Sequence, residues 1–166
     1  MGTRSRIGYL NEDGSIISAY HHYDGYPAWL GVTLKKHFHT ERKALKLIKG
    51  GDMTTCWTKQ RWSKKLGSYE NRFYGPQYYS KRGDDLPAQT SKNFGEFQKL
   101  VAWEEYIYIY IEETWVAYKV HTKTGYSGFA NDAPCTFLEM VTIPKDYPEE
   151  YKESLKLMEK LKTKAS

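Results

Sequence analysis

Apolar and polar residues alternate over Ser5–Leu10 and again over residues 15–23, the period-two pattern of half-buried strands. The intervening Asn11-Glu12-Asp13-Gly14 suits a type I turn closed by a left-handed glycine, a common hairpin loop. Opposing Asn11 with Ser15 sets the register. Tyr9 then faces Ile17 and Ile7 faces Ala19 on one side, while Gly8 faces Ser18, Arg6 faces Tyr20 and Arg4 faces His22 on the other. A two-residue loop at Asp13-Gly14 would move Ser18 to the side of Ile7 and Tyr9, so the first register, which separates apolar from polar, is preferred.

After Tyr26-Pro27 the period becomes helical, with Trp29, Leu30, Val32, Leu34 and Phe38 along residues 28–39 and Pro27 in the first turn. A second helix is predicted over Glu41–Lys49, capped by Thr40 and stopped by Gly50-Gly51. Residues 52–93 hold no sustained period, so short strands and long loops are expected there. A third helix is predicted over 91–105, with Phe94, Phe97, Leu100, Val101 and Trp103 on its apolar side.

The strictest alternation runs over 106–120. A tight turn at Glu113-Thr114 would oppose Ile111 with Val116, Ile109 with Tyr118 and Ile107 with Val120, predicting a core of Ile107, Ile109, Ile111, Val116 and Val120. The reverse face carries Tyr106, Tyr108 and Tyr110 beside Ala117, Lys119 and His121. Such a ladder packs under a helix more often than it stacks on a nucleobase, and the packing reading is preferred. A strand over 136–142 and a charged helix over 149–164 complete the inventory: one α+β domain over residues 1–166, a largely antiparallel sheet with three or four packed helices.

Composition agrees with a folded chain, because 16% aromatic residues supply burial that offsets chain entropy. No apolar run is long enough to span a bilayer, and the residues around Arg4 and Arg6 lack a signal-peptide core, so a soluble intracellular protein without a membrane partner is expected. Cys56 and Cys135 have no CxxC or Cys/His spacing and read as reduced thiols. Residues 1–100 hold 17 Lys and Arg against 9 Asp and Glu, whereas residues 101–166 hold 8 against 11. This asymmetry favours an anionic partner on the first two thirds of the chain.

The N-terminal hairpin and the turn after it concentrate chemistry that a hairpin does not require. Arg4 and Arg6 share a strand face opposite Tyr20 and His22, Gly8 leaves room for a group to approach, and Asp24 and Tyr26 follow. Arginine forks bind phosphate, tyrosine stacks on a base, and His22 with Asp24 can fix orientation. The structural alternative, in which Arg4 or Arg6 pairs with Asp24 and locks the N-terminus to the turn, carries equal weight.

Catalysis is the weaker reading. His21, His22 and Asp24 could serve a phosphoester reaction as base and acid, but no P-loop, GxSxG, HExxH or zinc-deaminase spacing accompanies them. His37 and His39 lie about 200° apart on a helix, so neither a metal nor a cofactor is expected. Lys35, Lys36, Arg42, Lys43, Lys46, Lys49 and the basic segment 59–65 leave nucleic-acid binding open, below a discrete nucleotide because no recognised nucleic-acid motif is present. Arg82-Gly83-Asp84 matches a cell-adhesion tripeptide that recurs by chance and is discounted.

Gly2-Thr3-Arg4-Ser5, then His22-Tyr23-Asp24-Gly25-Tyr26-Pro27, then Gly31, Leu34 and His37-Phe38 resemble the opening signature of a family of small proteins encoded by tailed phages. The likeness covers about the first forty residues, and the commoner form carries Trp at the position of Tyr23. The family brings no activity with it. The resemblance implies only a setting, an accessory protein in the cytoplasm of an infected bacterial host that acts in host takeover or against host defence. Together these readings predict capture of an anionic nucleotide-type ligand by Arg4, Arg6, Tyr20, His22, Asp24 and Tyr26, withholding a host signal or metabolite. The alternatives are a nucleic-acid-binding protein and an enzyme acting on a nucleotide phosphoester through His22 and Asp24.

Overall fold

The computed structural model describes residues 3–123, 135–153 and 156. Eight strands form one mixed, mostly antiparallel sheet: β1 (Ser5–Leu10), β2 (Ile16–His21), β3 (Met53–Ser63), β4 (Ser68–Tyr78), β5 (Gln89–Ser91), β6 (Tyr106–Ile111), β7 (Thr114–Lys123) and β8 (Cys135–Val141). Their order is β4-β3-β2-β1-β6-β7-β8, with β5 also on β2. The pairs β1–β6 and β2–β3 are parallel and the rest antiparallel. Helices pack on this sheet, which makes the chain an α+β protein. Among the described residues no helix is long and apolar enough to cross a membrane.

The first hairpin takes the expected register, with Arg6 opposite Tyr20, Ile7 opposite Ala19 and Gly8 opposite Ser18. Its loop closes as the sequence dictates: the Asn11 N–H donates to the Ser15 carbonyl at 2.8 Å, and Gly14 sits at φ +88°. Pro27 opens a π-helical turn (Pro27–Gly31) that runs into helix α1 (Val32–His37). Helix α2 (Glu41–Lys49) begins where Thr40 accepts the Lys43 N–H.

The second hairpin differs from expectation by two residues. Its turn is Glu112-Glu113, both left-handed at φ 47° and 67°, so Ile111 faces Thr114, Ile109 faces Val116 and Ile107 faces Tyr118. A two-residue shift preserves which side each residue faces. It also sets Tyr110 opposite Trp115, whose rings meet edge to face at 5.3 Å while the Trp115 indole N–H donates to the Phe38 carbonyl at 2.8 Å. That aromatic cross-strand pair stabilises the observed register.

The isoleucine side is the minor core, and Ile111, Val116 and Val120 are only partly buried. Parallel pairing of β6 with β1 puts Tyr108 beside Ile7, so the tyrosine side joins the main core beneath α1 and α2. Tyr108 is fully buried and donates to the Gly25 carbonyl at 2.6 Å. The preferred packing reading of the ladder therefore holds. On the opposite side Ile107, Ile109 and Ile16 pack under Phe97 of helix α3 (Phe94–Leu100).

The expectation of short strands over 52–93 is corrected to the long β3–β4 hairpin. Register shifts between Met53 and Gln60 repeatedly change the strand's facing, which erases the period-two signal while the pairing continues. Helix α3 is shorter than predicted. The Asn93 side chain caps it by accepting the Glu96 N–H at 2.8 Å, and Val101 is already extended. A helix starts at residue 149 as expected and is described to 153 and at 156; the remainder of the predicted 149–164 lies outside the described residues.

Candidate functional site

The site grows from a split in the edge of β2. Strand β5 pairs with Ile16, Ile17 and Ser18, whereas β3 meets β2 only at His21. In the gap the Asp52 carboxylate accepts the Tyr20 N–H at 2.9 Å, and beyond it the His22 and Tyr23 N–H groups donate to the carbonyls of Met53 and Thr54. Two clefts of about 590 and 600 Å³ open around this point and share His22 and Tyr79. Each is of a size that holds a small ligand.

The first, an aromatic cleft, is lined by the rings of His22, Tyr23, Trp29, Trp57, Tyr69 and Tyr79, with Asp24, Arg82, Gln77 and three threonines between them. Trp57 has one face covered by the His37 ring, stacked at 3.9 Å. Arg82 is fixed by a hydrogen bond to the Tyr69 hydroxyl at 3.0 Å and lies over the Tyr79 ring at 5.0 Å. The second, an arginine cleft, is lined by Arg4, Arg6, Tyr20, His22, Asp52, Tyr79 and, from the far wall, Leu86, Leu100, Ala102, Trp103 and Glu104.

Four of the six sequence-predicted site residues, Arg4, Arg6, Tyr20 and His22, thus line one cleft, and His22 and Asp24 line the other. Tyr26 lines neither; its ring lies 6.1 Å from that of Tyr151. The two arginines have different roles. Arg6 is 6% exposed, and its Nε donates to Glu104 at 3.2 Å while Nη1 donates to the Ser18 hydroxyl at 3.1 Å. The other Glu104 oxygen accepts the backbone N–H groups of Ala102 at 2.8 Å and Trp103 at 3.2 Å. The N-terminal strand is locked by an ion pair, but the carboxylate is Glu104, 98 residues away, and not Asp24. Arg4 is exposed and forms no ion pair among the described residues.

The Tyr20 hydroxyl and His22 Nδ1 are 2.8 Å apart. Partial burial, helped by the positive charge of Arg4, lowers the His22 pKa and so favours the neutral ring. No hydrogen bond joins His22 to Asp24 among the described residues. His21, by contrast, is fully buried; its Nε2 accepts the Cys56 N–H at 3.0 Å, and burial pushes its pKa down to about 3. Adjacent strand positions send one histidine to the core and the other to the clefts.

The space expected at Gly8 is filled. A Cβ there would lie 3.1 Å from Ile16 Cγ2, so no ligand approaches the sheet at that point. The signature around Asp24-Gly25 has a packing cause as well: a Cβ at Gly25 would sit 2.5 Å from the Ser5 hydroxyl, and the Gly25 N–H donates to the Thr3 carbonyl at 2.8 Å.

Sequence reasoning missed Trp29, Asp52, Trp57, Tyr69, Tyr79, Arg82, Trp103 and Glu104 as site residues. The aromatic density of 52–93 was the available signal, and the discounted Arg82 stands in a cleft wall. Of the two basic helices, α2 covers the side of the sheet that bears Ile7, opposite the side that bears Arg6, while α1 reaches the aromatic cleft through His37 on Trp57. Among the described residues no cluster of His, Cys, Asp or Glu could hold a metal. No protein family, no curated protein and no solved structure matches the chain.

Proposed function

We propose that the protein binds a nucleotide-type ligand, with a base among the rings of the aromatic cleft and a phosphate directed towards Arg4 at the His22–Tyr79 junction. The observation that carries this reading is the convergence of six aromatic rings on one cleft beside two accessible guanidinium groups, Arg4 and Arg82. Stacking on an aromatic side chain is worth about 1–3 kcal/mol per base. Arginine supplies the phosphate contact. Relative to the six residues expected from sequence, Arg6 becomes scaffold, Tyr26 drops out, and Trp29, Trp57, Tyr79 and Arg82 enter.

Binding is favoured over turnover because His22 spends Nδ1 on Tyr20 and, among the described residues, no carboxylate is hydrogen-bonded to its ring. A discrete ligand is favoured over a polymer because the lysines of α2 and the arginine cleft lie on opposite sides of the sheet. In the phage setting implied by the N-terminal resemblance, such capture would withhold a host signal or metabolite. The test is titration with the four ribonucleoside monophosphates, followed by tryptophan fluorescence and calorimetry. At least one should bind and quench, and Arg4→Ala should weaken it about tenfold, the loss of one charge-assisted contact. Absence of binding by all four, or full affinity in Arg4→Ala, overturns the reading.

A further inference from the structure

We infer that the preferred ligand carries two bases joined by a phosphodiester, one base in the aromatic cleft and the other stacked on Trp103 in the arginine cleft. This deepens the nucleotide reading and rests on it. The first reason is the pairing of the clefts. They are nearly equal at about 590 and 600 Å³ and share His22 and Tyr79, so the two adjoin and one ligand can run along the common wall from one into the other. One mononucleotide occupies one such volume and leaves the second to solvent.

The second reason is how Trp103 is held. Trp103 is 76% exposed and lines the arginine cleft, and its backbone is fixed. Glu104 grips the N–H groups of Ala102 and Trp103 with one oxygen and Arg6 with the other, and both charged side chains are almost wholly buried. A buried ion pair contributes little net stability against an apolar equivalent. What this one supplies is position: the segment after α3 is clamped to β1, and the backbone that carries the exposed ring is held at a set place beside the cleft. A base that stacks there orders only the two side-chain torsions of the indole and no backbone.

The third reason is charge. Arg4, Arg6 and Arg82 are matched in number by Asp24, Asp52 and Glu104 across the two linings. Such a surface accepts the single charge of a phosphodiester at Arg4 and resists the dense charge of a triphosphate. Two rings and one linking phosphate also distribute the binding over stacking, which the residues supply in excess of cations.

The experiment compares AMP, ApA and ATP, with GMP, GpG and GTP in parallel, by calorimetry on the whole chain. For at least one base the dinucleotide should bind with 1:1 stoichiometry and at least tenfold more tightly than its mononucleotide, and the triphosphate should gain nothing over the monophosphate. Trp103→Ala should bring the dinucleotide down to the affinity of the mononucleotide for the parent protein, and Trp103→Phe should restore most of the difference. Because Trp103 is exposed, circular dichroism of both variants should match the parent. Dinucleotides that bind no tighter than mononucleotides, or an advantage that survives Trp103→Ala, overturn the two-base assignment and leave the nucleotide reading standing. A tetranucleotide that binds tighter still would make the occupant a strand and overturn it too. Failure of every nucleotide overturns both.

Discussion

Replacing Arg6 tests whether the buried pair is the clamp of the arginine cleft. Arg6→Met removes the guanidinium and leaves a Glu104 carboxylate that is 5% exposed, with two backbone N–H groups as its remaining partners. A buried ion pair broken on one side costs about 3–5 kcal/mol, a large share of the 5–15 kcal/mol that holds a domain of ordinary stability together. Replacing both partners should be far milder. In Arg6→Met with Glu104→Gln the amide oxygen still accepts from Ala102 and Trp103, no charge is left buried, and the expected loss is about 1 kcal/mol. Arg4→Ala removes an exposed side chain and should change stability by less than about 0.5 kcal/mol. Urea unfolding followed by tryptophan fluorescence measures all three, and with Glu104→Gln alone added to close the double-mutant cycle the coupling should be about 2 kcal/mol or more. If Arg6→Met unfolds within about 1 kcal/mol of the parent, the pair is not a clamp, and the argument that it fixes Trp103 fails with it. The same series guards the binding experiments: a loss of affinity in an Arg6 variant reports a disturbed cleft wall, and only Arg4 reports a ligand contact.

The fully buried, neutral His21 should make stability acid-sensitive: its folded pKa of about 3 lies below the unfolded value near 6.5, so its contribution is complete above pH 6.5 and declines as pH falls towards 3. At about 1.4 kcal/mol per pH unit the loss at pH 4.5 is about 2–3 kcal/mol, and His21→Gln, which does not titrate, should show a correspondingly smaller difference in urea midpoint between pH 7 and pH 4.5; equal differences would refute this. For His22, whose lowered pKa is due first to burial and then to Arg4, a proton NMR titration should find the midpoint raised in Arg4→Gln and raised again by a bound phosphate-bearing ligand. A midpoint that stays put in both cases would remove His22 from the neighbourhood of the phosphate.

What could be read from sequence was local. The loop Asn11-Glu12-Asp13-Gly14 fixes the first register, and the register fixes which residues share a side, so Arg4, Arg6, Tyr20 and His22 could be grouped before any strand order was known. The partners of that group were beyond reach because the chain brings them from far away. Glu104 follows Arg6 by 98 residues, and nothing in its neighbourhood marks it as an arginine's partner. Trp103 was misassigned for a local reason: it continues the apolar spacing of Phe94, Phe97 and Leu100, but the helix stops at Leu100, and a helical face no longer decides where its ring points. In β3 the bulges removed the very alternation by which a strand is recognised. The Glu112-Glu113 turn lacks the glycine or asparagine that normally announces two left-handed residues.

The N-terminal segment also divides once burial is known, and the division sharpens the functional argument. Gly25 closes on Ser5, and Gly31 closes on Ile143 and Tyr108, where a Cβ would come within 2.9 Å of Ile143 Cγ2; these glycines dock the segment onto the main core. Fold alone accounts for them. Asp24 sits at φ 54°, a left-handed position that Asp tolerates, so the turn accounts for it; Arg4 and Tyr23 are exposed and His22 is only partly buried, so packing does not account for these three, and all of them line a cleft. Tyr23 is 48% exposed on the wall of the aromatic cleft, where a larger flat ring meets no close-packed neighbours and stays available for stacking. A Tyr23→Trp variant should therefore keep its unfolding midpoint and bind nucleotide at least as well as the parent, whereas Tyr23→Ala should keep the midpoint and lose affinity. Equal affinity in the two variants would return Tyr23 to the ordinary surface.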